Sequence, residues 1–334
     1  MPEASVAGDA VLSARALRVA FPHRTGPFYA VDGVSFDLVR GKTLALVGES
    51  GCGKTITALA LLSLVDPPGR IVGGSIRYRD QEIVGASPAE LCRLRGRHVA
   101  MIFQEPMTAL NPVMRIGDQV AEPLRIHERL STSEAKQRVV RLLGDVGIPA
   151  SAERYDAYPH ELSGGMRQRV VIAIALACSP DVIIADEPTT ALDVTIQAQI
   201  LDLMRQLQRE RHMAVLFITH DLALVETVAD DVAVMYAGRI VEQGSVADLT
   251  SAPRHPYSRA LWCANPASCP PGSPLQTIGG SVPGLHELPD GCAFQNRCPR
   301  RQDRCVEERP ELTDGVACFD PHAEPLPPRS TEPT

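Results

Sequence analysis

Short apolar segments alternate with amphipathic segments over most of the 334-residue chain. Near the N-terminus, ARALRVAF, VSFDL and KTLALVG combine β-branched residues with apolar–polar alternation and are separated by turn residues, which predicts strands. HVAMIFQ, DVIIAD, AVLFITH and DVAVMYAG are short apolar runs, which predicts buried strands. Because helix-like segments separate these runs, we expect an α/β fold with a parallel sheet covered on both faces.

Helical spacing dominates between about residues 105 and 180. In STSEAKQRVVRLLGDVGI the apolar positions recur every three or four residues, and Ser131 with Glu134 predicts a capping box at the helix start. KTITALALLSL and GMRQRVVIAIALA are also predicted to be helices. After about residue 250, Pro, Gly and Cys become frequent and the periodicity fades. We interpret residues 251–321 as a small appended module with little core, and residues 322–334 as a disordered tail.

Composition and charge narrow the class of protein. No run approaches the ~18 apolar residues that a membrane-spanning helix needs, and the first residues lack the pattern of a secretory signal. We therefore expect an intracellular protein, in which structural disulfides are rare. The net charge is −7 and no basic face is concentrated in the sequence, so nucleic acid is not an expected partner.

The segment GESGCGKT matches the phosphate-loop pattern G-x-x-x-x-G-K-[ST]. It follows a predicted strand and opens a predicted helix, where backbone amides and the helix dipole favour an anion. Lys54 is predicted to reach the β- and γ-phosphates, and the Thr55 hydroxyl to bind Mg²⁺. The predicted nucleotide-contacting residues are Gly48, Glu49, Ser50, Gly51, Cys52, Gly53, Lys54 and Thr55.

Two carboxylates end the predicted strand VIIAD. Asp186 is the candidate ligand for Mg²⁺, and Glu187 is the candidate base for the attacking water. A strand that ends in Asp-Glu is weak evidence alone. Its position after a phosphate loop favours a role in ATP hydrolysis.

The segment LSGGMRQR, residues 162–169, resembles the LSGGQ signature of ATP-binding-cassette (ABC) ATPases. Other matching positions occur in the expected order over about residues 10–250: Gln104 after MIF, TTALD ending at Asp193, and His220 in FITHD. The resemblance implies an ABC nucleotide-binding domain with a RecA-like phosphate-loop core, an antiparallel β subdomain and a helical subdomain over about residues 105–180. It also implies ATP and Mg²⁺ as cofactors.

The resemblance further implies a head-to-tail dimer with two ATP molecules between the cassettes. The phosphate loop of each chain would face Ser163, Gly164 and Gly165 of its partner. The resemblance gives the other motif residues specific roles: Gln104 senses Mg²⁺ and the membrane partner, His220 contacts the γ-phosphate, Asp193 lies at the dimer seam, and Phe21 stacks on adenine, with Tyr29 as the alternative. One departure is Met166, which replaces the usual Gln of the signature and lacks its hydrogen-bonding groups.

Two later segments resemble the dipeptide, oligopeptide and nickel importer ATPases: HPYSRALW, residues 255–262, and IGGSVPGLHELPDGCAFQNRCP. In that family a second, similar ATPase subunit pairs with the first beneath two membrane permeases fed by an extracytoplasmic binding protein. The resemblance implies a peripheral location on the cytoplasmic face, with QEPMTALNPVMRIGDQVAEPL receiving the permeases. Nickel or another peptide-like solute is the alternative cargo. A soluble cassette ATPase of DNA repair or translation is the competing class.

Four cysteines follow with the spacing C-x₅-C-x₆-C-x₁₂-C: Cys292, Cys298, Cys305 and Cys318. Free buried cysteines, a zinc site and an iron–sulfur cluster all remain possible on this pattern. Zinc generally takes closer Cys pairs, whereas Cys298 is followed by Pro as in many iron–sulfur sites. The spacing leaves the two metals open, and the family resemblance implies a [4Fe–4S] cluster.

Overall fold

The structure, a computed structural model, describes residues 10–24, 26–105, 109–190, 192–264, 277–284 and 286–326. The chain forms two compact units from interleaved segments. The first unit contains the residues up to Leu12, Leu38–Lys42 and Gly85–Phe217; the second contains Ser13–Asp37, Thr43–Val84 and the chain from Ile218 onward. No helix formed by the described residues combines the length and apolarity that crossing a bilayer requires.

Most strands formed by the described residues lie where the apolar pattern predicts them, whereas those over Arg70–Tyr78, Gln81–Glu82 and Arg239–Ser245 were not predicted. The strands are β1 (Ala10–Phe21), β2 (Phe28–Val39), β3 (Thr43–Val47), β4 (Arg70–Tyr78), β5 (Gln81–Glu82), β6 (Val99–Ile102), β7 (Val182–Asp186), β8 (Ala214–Thr219), β9 (Asp231–Tyr236) and β10 (Arg239–Ser245). In the second unit β3 pairs in parallel with β9, and β9 pairs antiparallel with β10. In the first unit β6 pairs in parallel with β7. These parallel pairs are the ones expected of an α/β fold.

The three helices predicted from periodicity, in KTITALALLSL, STSEAKQRVVRLLGDVGI and GMRQRVVIAIALA, are present, and no bounds were predicted for the other helices. The helices are α1 (Lys54–Leu61), α2 (Pro88–Leu94), α3 (Ile116–His127), α4 (Thr132–Asp145), α5 (Ser151–Arg154), α6 (Gly164–Leu176), α7 (Val194–Arg211), α8 (Leu222–Val228), α9 (Val246–Ser251), α10 (Pro256–Cys263) and α11 (Arg304–Glu307). The predicted capping box is confirmed: the Ser131 side chain accepts from the Glu134 amide, and the Glu134 carboxylate accepts from the Ser131 amide at 3.0 Å.

The C-terminal segment is not the thinly packed module that its composition suggests. Tyr257, Trp262 and Phe294 are fully buried, and they share one hydrophobic core with Val47 of β3 and Val234 of β9. Aromatic side chains of this size bury large apolar areas and dominate the packing of a core. The residues after 250 therefore complete the core of the second unit.

Part of the predicted disordered tail is ordered. The amide of His322 donates to the Arg254 carbonyl at 2.8 Å, and the amide of Leu326 donates to the Ser251 carbonyl at 2.7 Å. The Arg259 guanidinium also donates to the Glu324 carbonyl at 2.7 Å. Polar composition suggested disorder, but these hydrogen bonds fix the backbone through residue 326. The rest of that prediction, residues 327–334, lies outside the described residues.

Candidate functional site

The phosphate loop connects β3 to α1 in the second unit. Gly48, Gly51 and Gly53 all have positive φ angles, of 152°, 80° and 106°. A Cβ atom at Gly48 would collide with the Met235 carbonyl, and one at Gly53 with the Ala30 carbonyl. Glycine is therefore required both for the backbone conformation and for the close approach of the neighbouring strands.

Lys54 places a positive charge inside this loop. Its side chain is buried, and its ammonium donates to the Gly48 carbonyl at 2.8 Å and the Glu49 carbonyl at 3.1 Å. The Sγ atom of Cys52 lies 3.7 Å from the ammonium. Burial raises the pKa of the Cys52 thiol, so this side chain is a neutral, packed part of the loop. Thr55 is exposed at the start of α1.

Glu49 is bound by residues that the sequence motifs did not assign to the site. Its amide donates to the Tyr257 hydroxyl at 2.9 Å. Its carboxylate accepts two hydrogen bonds from the Arg297 guanidinium, at 2.7 and 2.9 Å. Both partners lie more than 200 positions along the chain. The HPY segment was the only sequence signal for Tyr257, and no pattern pointed to Arg297.

The two carboxylates are located where β7 ends, in the first unit. Asp186 is buried, and Glu187 has a φ angle of 47°, which is uncommon for a residue other than glycine. The Gln104 amide donates to Glu187 Oε2 at 2.9 Å, and the Thr190 hydroxyl donates to the same oxygen at 3.0 Å. The structure therefore brings Gln104 and Glu187 together and adds Thr190, which the sequence analysis missed. Backbone strain of this kind is concentrated at functional sites.

The signature segment forms the N-terminus of α6. Ser163 caps the helix by accepting from the Met166 amide, and both Ser163 and Gly164 are exposed. A Cβ atom at Gly165 would lie 2.7 Å from the Ile196 side chain, so this glycine is also needed for packing against α7. Asp193 caps α7 through the Ile196 amide at 2.9 Å. The signature and Asp193 therefore lie at the N-termini of α6 and α7, which pack against each other at Gly165 and Ile196.

The remaining motif residues lie in the second unit. His220 is exposed and follows β8 directly. The ring of Phe21 stacks on Phe28, with centroids 5.7 Å apart and an interplanar angle of 13°. Tyr29 is the more exposed of the two candidates for adenine stacking. Phe28 is a further aromatic residue here, and the sequence analysis did not assign it a role.

The HPY segment has a clear local structure. His255 caps α10 through Nδ1, which accepts from the Tyr257 amide at 3.0 Å, and Pro256 occupies the first helical turn. Buried Glu242 accepts from the backbone amides of Arg254 at 2.7 Å and His255 at 3.0 Å. Burial lowers the pKa of His255 to about 3, so the ring stays neutral and keeps Nδ1 as an acceptor. This cap fixes Tyr257 where its hydroxyl reaches Glu49.

The four C-terminal cysteines line one small cavity. His255, Phe294 and Phe319 complete its wall, and the lining cysteines are Cys292, Cys298, Cys305 and Cys318. The amide of Cys292 donates to the Cys305 carbonyl at 2.8 Å. Gly291 permits this approach, because a Cβ atom there would collide with the same carbonyl. The fold thus brings together four thiols from a stretch in which the first and last cysteine are 26 positions apart.

Burial and the neighbouring thiols disfavour the thiolate forms of Cys292, Cys298 and Cys318. Burial is the main cause that raises the pKa of Cys292 and Cys298, and it raises the pKa of Cys318 to about 11. Within the described part of the chain, no three or more His, Cys, Asp or Glu side chains are grouped so that they could hold one metal ion.

Known proteins resemble this chain over most of its length. The sequence profile of the ABC transporter family matches residues 31–190, and that of the oligopeptide/dipeptide transporter C-terminal region matches residues 241–305. The dipeptide transport ATP-binding protein DppD of Escherichia coli K12 is 47% identical over 303 residues, which cover 91% of this chain and 93% of DppD. The oligopeptide transport ATP-binding protein OppD of the same organism is 48% identical over 330 residues, 98% of each chain.

Solved structures agree on the fold. A dimeric ATP-binding cassette in a post-hydrolysis state, bound to ADP and Pi, has a TM-score of 0.63 and 24% identity, and the match covers 70% of this chain and 98% of the cassette. The fold is therefore that of an ABC nucleotide-binding domain, as the sequence predicted. The chain belongs to the family of ABC transporter ATPases of the dipeptide and oligopeptide importers.

Proposed function

We propose that this chain is the ATP-hydrolysing subunit of an importer that carries peptides across the cytoplasmic membrane. The observation that supports it most strongly is the 47–48% identity to dipeptide and oligopeptide transport ATP-binding proteins over more than nine-tenths of the chain. The site geometry is consistent with hydrolysis, because a candidate base is held by two side-chain hydrogen bonds. Nickel or another peptide-like solute is the alternative cargo.

The proposed mechanism gives the phosphate loop the task of binding ATP and the β7 carboxylates the task of supporting its hydrolysis. Lys54 and the amides of the loop bind the phosphates, and Phe21 or Tyr29 stacks on adenine. Thr55, Asp186 and Gln104 would hold Mg²⁺, whose preference for oxygen ligands suits these donors. Glu187 accepts the proton of the attacking water, and Gln104 orients its carboxylate. His220 contacts the γ-phosphate, where negative charge changes during phosphoryl transfer.

The proposed dimer pairs this phosphate loop with the signature of a second, similar ATPase subunit. The N-terminus of α6 suits this role because Ser163 and Gly164 are exposed and helix starts bind anions. In the proposed dimer this signature completes the ATP site of the second subunit. Met166 cannot offer that site the amide hydrogen bonds that a Gln would provide.

The proposed partners in the membrane are two permeases, which are in turn fed by an extracytoplasmic peptide-binding protein. By the family resemblance, their docking surface is assigned to QEPMTALNPVMRIGDQVAEPL, residues 104–124. Val113 in this segment is 79% exposed, and the neighbouring Phe103 is also exposed. Because Gln104 lies in the same segment and contacts Glu187, docking at this surface would be transmitted to the base. The chain would therefore be peripheral, on the cytoplasmic face.

Copurification tests the importer proposal against a soluble cassette function. When the full chain is isolated from membranes of its native host with mild detergent, we expect integral-membrane proteins and a second ATPase subunit to accompany it. In vesicles rebuilt with that complex and its binding protein, peptides should stimulate ATP hydrolysis. If Ni²⁺ and not peptides stimulated ATP hydrolysis, the assigned cargo would change from peptides to nickel. Recovery with ribosomes or DNA and without membrane proteins would overturn the importer.

We also propose that Cys292, Cys298, Cys305 and Cys318 hold a [4Fe–4S] cluster with a structural role. The four thiols line one cavity, and the raised pKa values of Cys292, Cys298 and Cys318 would fall on binding iron, because a metal ion favours the thiolate form. The cluster would cross-link α11, which contains Cys305, to the loops that contain Cys292, Cys298 and Cys318. These segments pack on the core through Phe294, so the cross-links would stabilise the second unit.

Iron content tests the cluster directly. Protein purified without oxygen is expected to be brown, to absorb near ~400 nm and to contain about four irons per chain. Cys298→Ser should lose most of this iron, whereas Cys92→Ser, at an exposed cysteine outside the cavity, should keep it. Colourless protein with one zinc per chain would identify zinc as the metal.

A further inference from the structure

A buried arginine of the cysteine-rich segment binds the phosphate loop. Arg297 lies between Cys292 and Cys298, and its side chain is only 5% exposed. Its two terminal nitrogens donate to the two carboxylate oxygens of Glu49, at 2.7 and 2.9 Å. Two-point pairs of this geometry are the strongest and most directional ion pairs in proteins. The contact joins positions that are 248 residues apart in the sequence.

The guanidinium is itself fixed from several sides. Its Nε donates to the Gly279 carbonyl at 2.9 Å, and Nη1 lies 3.4 Å from the Tyr236 hydroxyl. The guanidinium carbon lies 5.8 Å from the ring centroids of both Tyr236 and Phe294, within the range of a cation–π contact. The backbone turn is also closed, because the Arg297 amide donates to the Phe294 carbonyl at 3.0 Å. Arg297 thus presents a preorganised fork to Glu49.

The same loop residue is held a second time by the C-terminal segment. The Glu49 amide donates to the Tyr257 hydroxyl at 2.9 Å, and Tyr257 packs against Phe294 with ring centroids 5.4 Å apart. Side chain and backbone of Glu49 are therefore both fixed by residues after 250. Glu49 directly follows Gly48, and both carbonyls accept hydrogen bonds from Lys54. A shift of Glu49 would move two groups that position the lysine.

We propose that Arg297 is a positioning residue for nucleotide binding, and that through it the cysteine-rich segment sets the affinity of this subunit for ATP. In this proposal Arg297 acts through Glu49: it holds Glu49, which holds the loop and Lys54 in the conformation that binds phosphate. The inference rests on the proposed function of the loop as an ATP site. It adds a regulatory role for a segment whose composition suggested only a separate structural module.

Substitution at both ends of the pair tests this inference. In the full chain, Arg297→Gln is expected to raise the Kd and KM for Mg-ATP about tenfold, the size of typical coupling between sites. The kcat at saturating ATP should stay within about twofold, since the hydrolytic groups are unchanged. Arg297→Lys should restore part of the affinity, because lysine keeps the charge but not the two-point geometry.

Arg300→Gln is the matched control. Arg300 lies in the same segment and also makes a two-point pair, with Asp320 at 2.9 and 2.6 Å, but this pair does not involve the phosphate loop. It should leave the Kd for ATP unchanged. The double variant Glu49→Gln/Arg297→Gln should bind ATP no more weakly than the weaker single variant, because both changes remove one contact.

The possible outcomes separate this inference from the proposed function. If the unaltered chain binds ATP and Arg297→Gln binds it within twofold, or if Arg300→Gln has the same effect as Arg297→Gln, the inference is overturned and the ATP site stands. If the unaltered chain binds no ATP, both are overturned. If Arg297→Gln fails to fold, Glu49→Gln becomes the deciding variant. The Glu49 side chain is 28% exposed, compared with 5% for Arg297, so replacing it should disturb folding less. Unchanged affinity in Glu49→Gln would then contradict the inference.

Discussion

Replacing Glu187 by Gln is expected to lower the rate of ATP hydrolysis about 10²- to 10⁴-fold, the range that positioned general bases contribute. The amide cannot accept the proton of the attacking water. It can still accept hydrogen bonds from Gln104 and Thr190, which bind the same carboxylate oxygen in the unaltered protein. The local geometry should therefore persist, and only the base is lost.

ATP binding separates this explanation from a loss of folding. The Kd for Mg-ATP of Glu187→Gln should stay within a few-fold of the unaltered chain, measured by calorimetry beside single-turnover hydrolysis. Glu210→Gln is a suitable control, because Glu210 is exposed on α7, where its carboxylate accepts a hydrogen bond from the Gln206 amide at 2.8 Å. If Glu187→Gln hydrolysed ATP at the full rate, the assignment of Glu187 as the general base would be wrong.

The second large effect is expected at Lys54. Lys54→Ala removes the buried ammonium at the centre of the phosphate loop and should weaken ATP binding on the order of 10²-fold, the scale for truncating a buried, hydrogen-bonded charge pair. In contrast to Glu187→Gln, the loss appears in binding itself. Turnover at ordinary ATP concentrations should fall with it.

Lys136→Ala is the control for Lys54→Ala. Lys136 is exposed on α4, where it contacts the Tyr155 ring and lies 3.7 Å from an Asp156 oxygen. Lys136→Ala should leave the Kd for ATP unchanged and alter stability by a few tenths of a kcal/mol, as surface substitutions usually do. Equal ATP affinity of Lys54→Ala and the unaltered chain would contradict the assigned phosphate loop.

The two large predictions rest on residues that short sequence motifs single out. Gly48, Lys54 and Asp186 belong to short patterns in which each residue type has one chemical task, and their strand and helix context is visible in local periodicity. The capping box at Ser131 is a similar case. In each case neighbouring residues along the chain determine the structure, so the amino-acid pattern is sufficient to predict it.

The structure of the residues after 250 was predicted less well, because that prediction used composition and had no information on packing. The residues after 250 looked like a separate module because Pro, Gly and Cys are frequent there. Instead, Trp262 and Phe294 are buried in the core that also contains Val47 of β3. Residues 322–326 looked disordered, and three hydrogen bonds order them. Composition reports the average tendency of a segment, whereas burial depends on which distant surface the segment meets.

By itself, the sequence determined the class of protein, the ATP-binding motifs and the four cysteines, because each depends on residue types at short, fixed spacing. Only the tertiary structure decided which side chains support these motifs. Thr190 reaches Glu187, Tyr257 reaches the amide of Glu49, and Arg297 reaches its carboxylate across 248 positions. No periodicity records such a contact, because it depends on the packing of strands and loops that are remote along the chain.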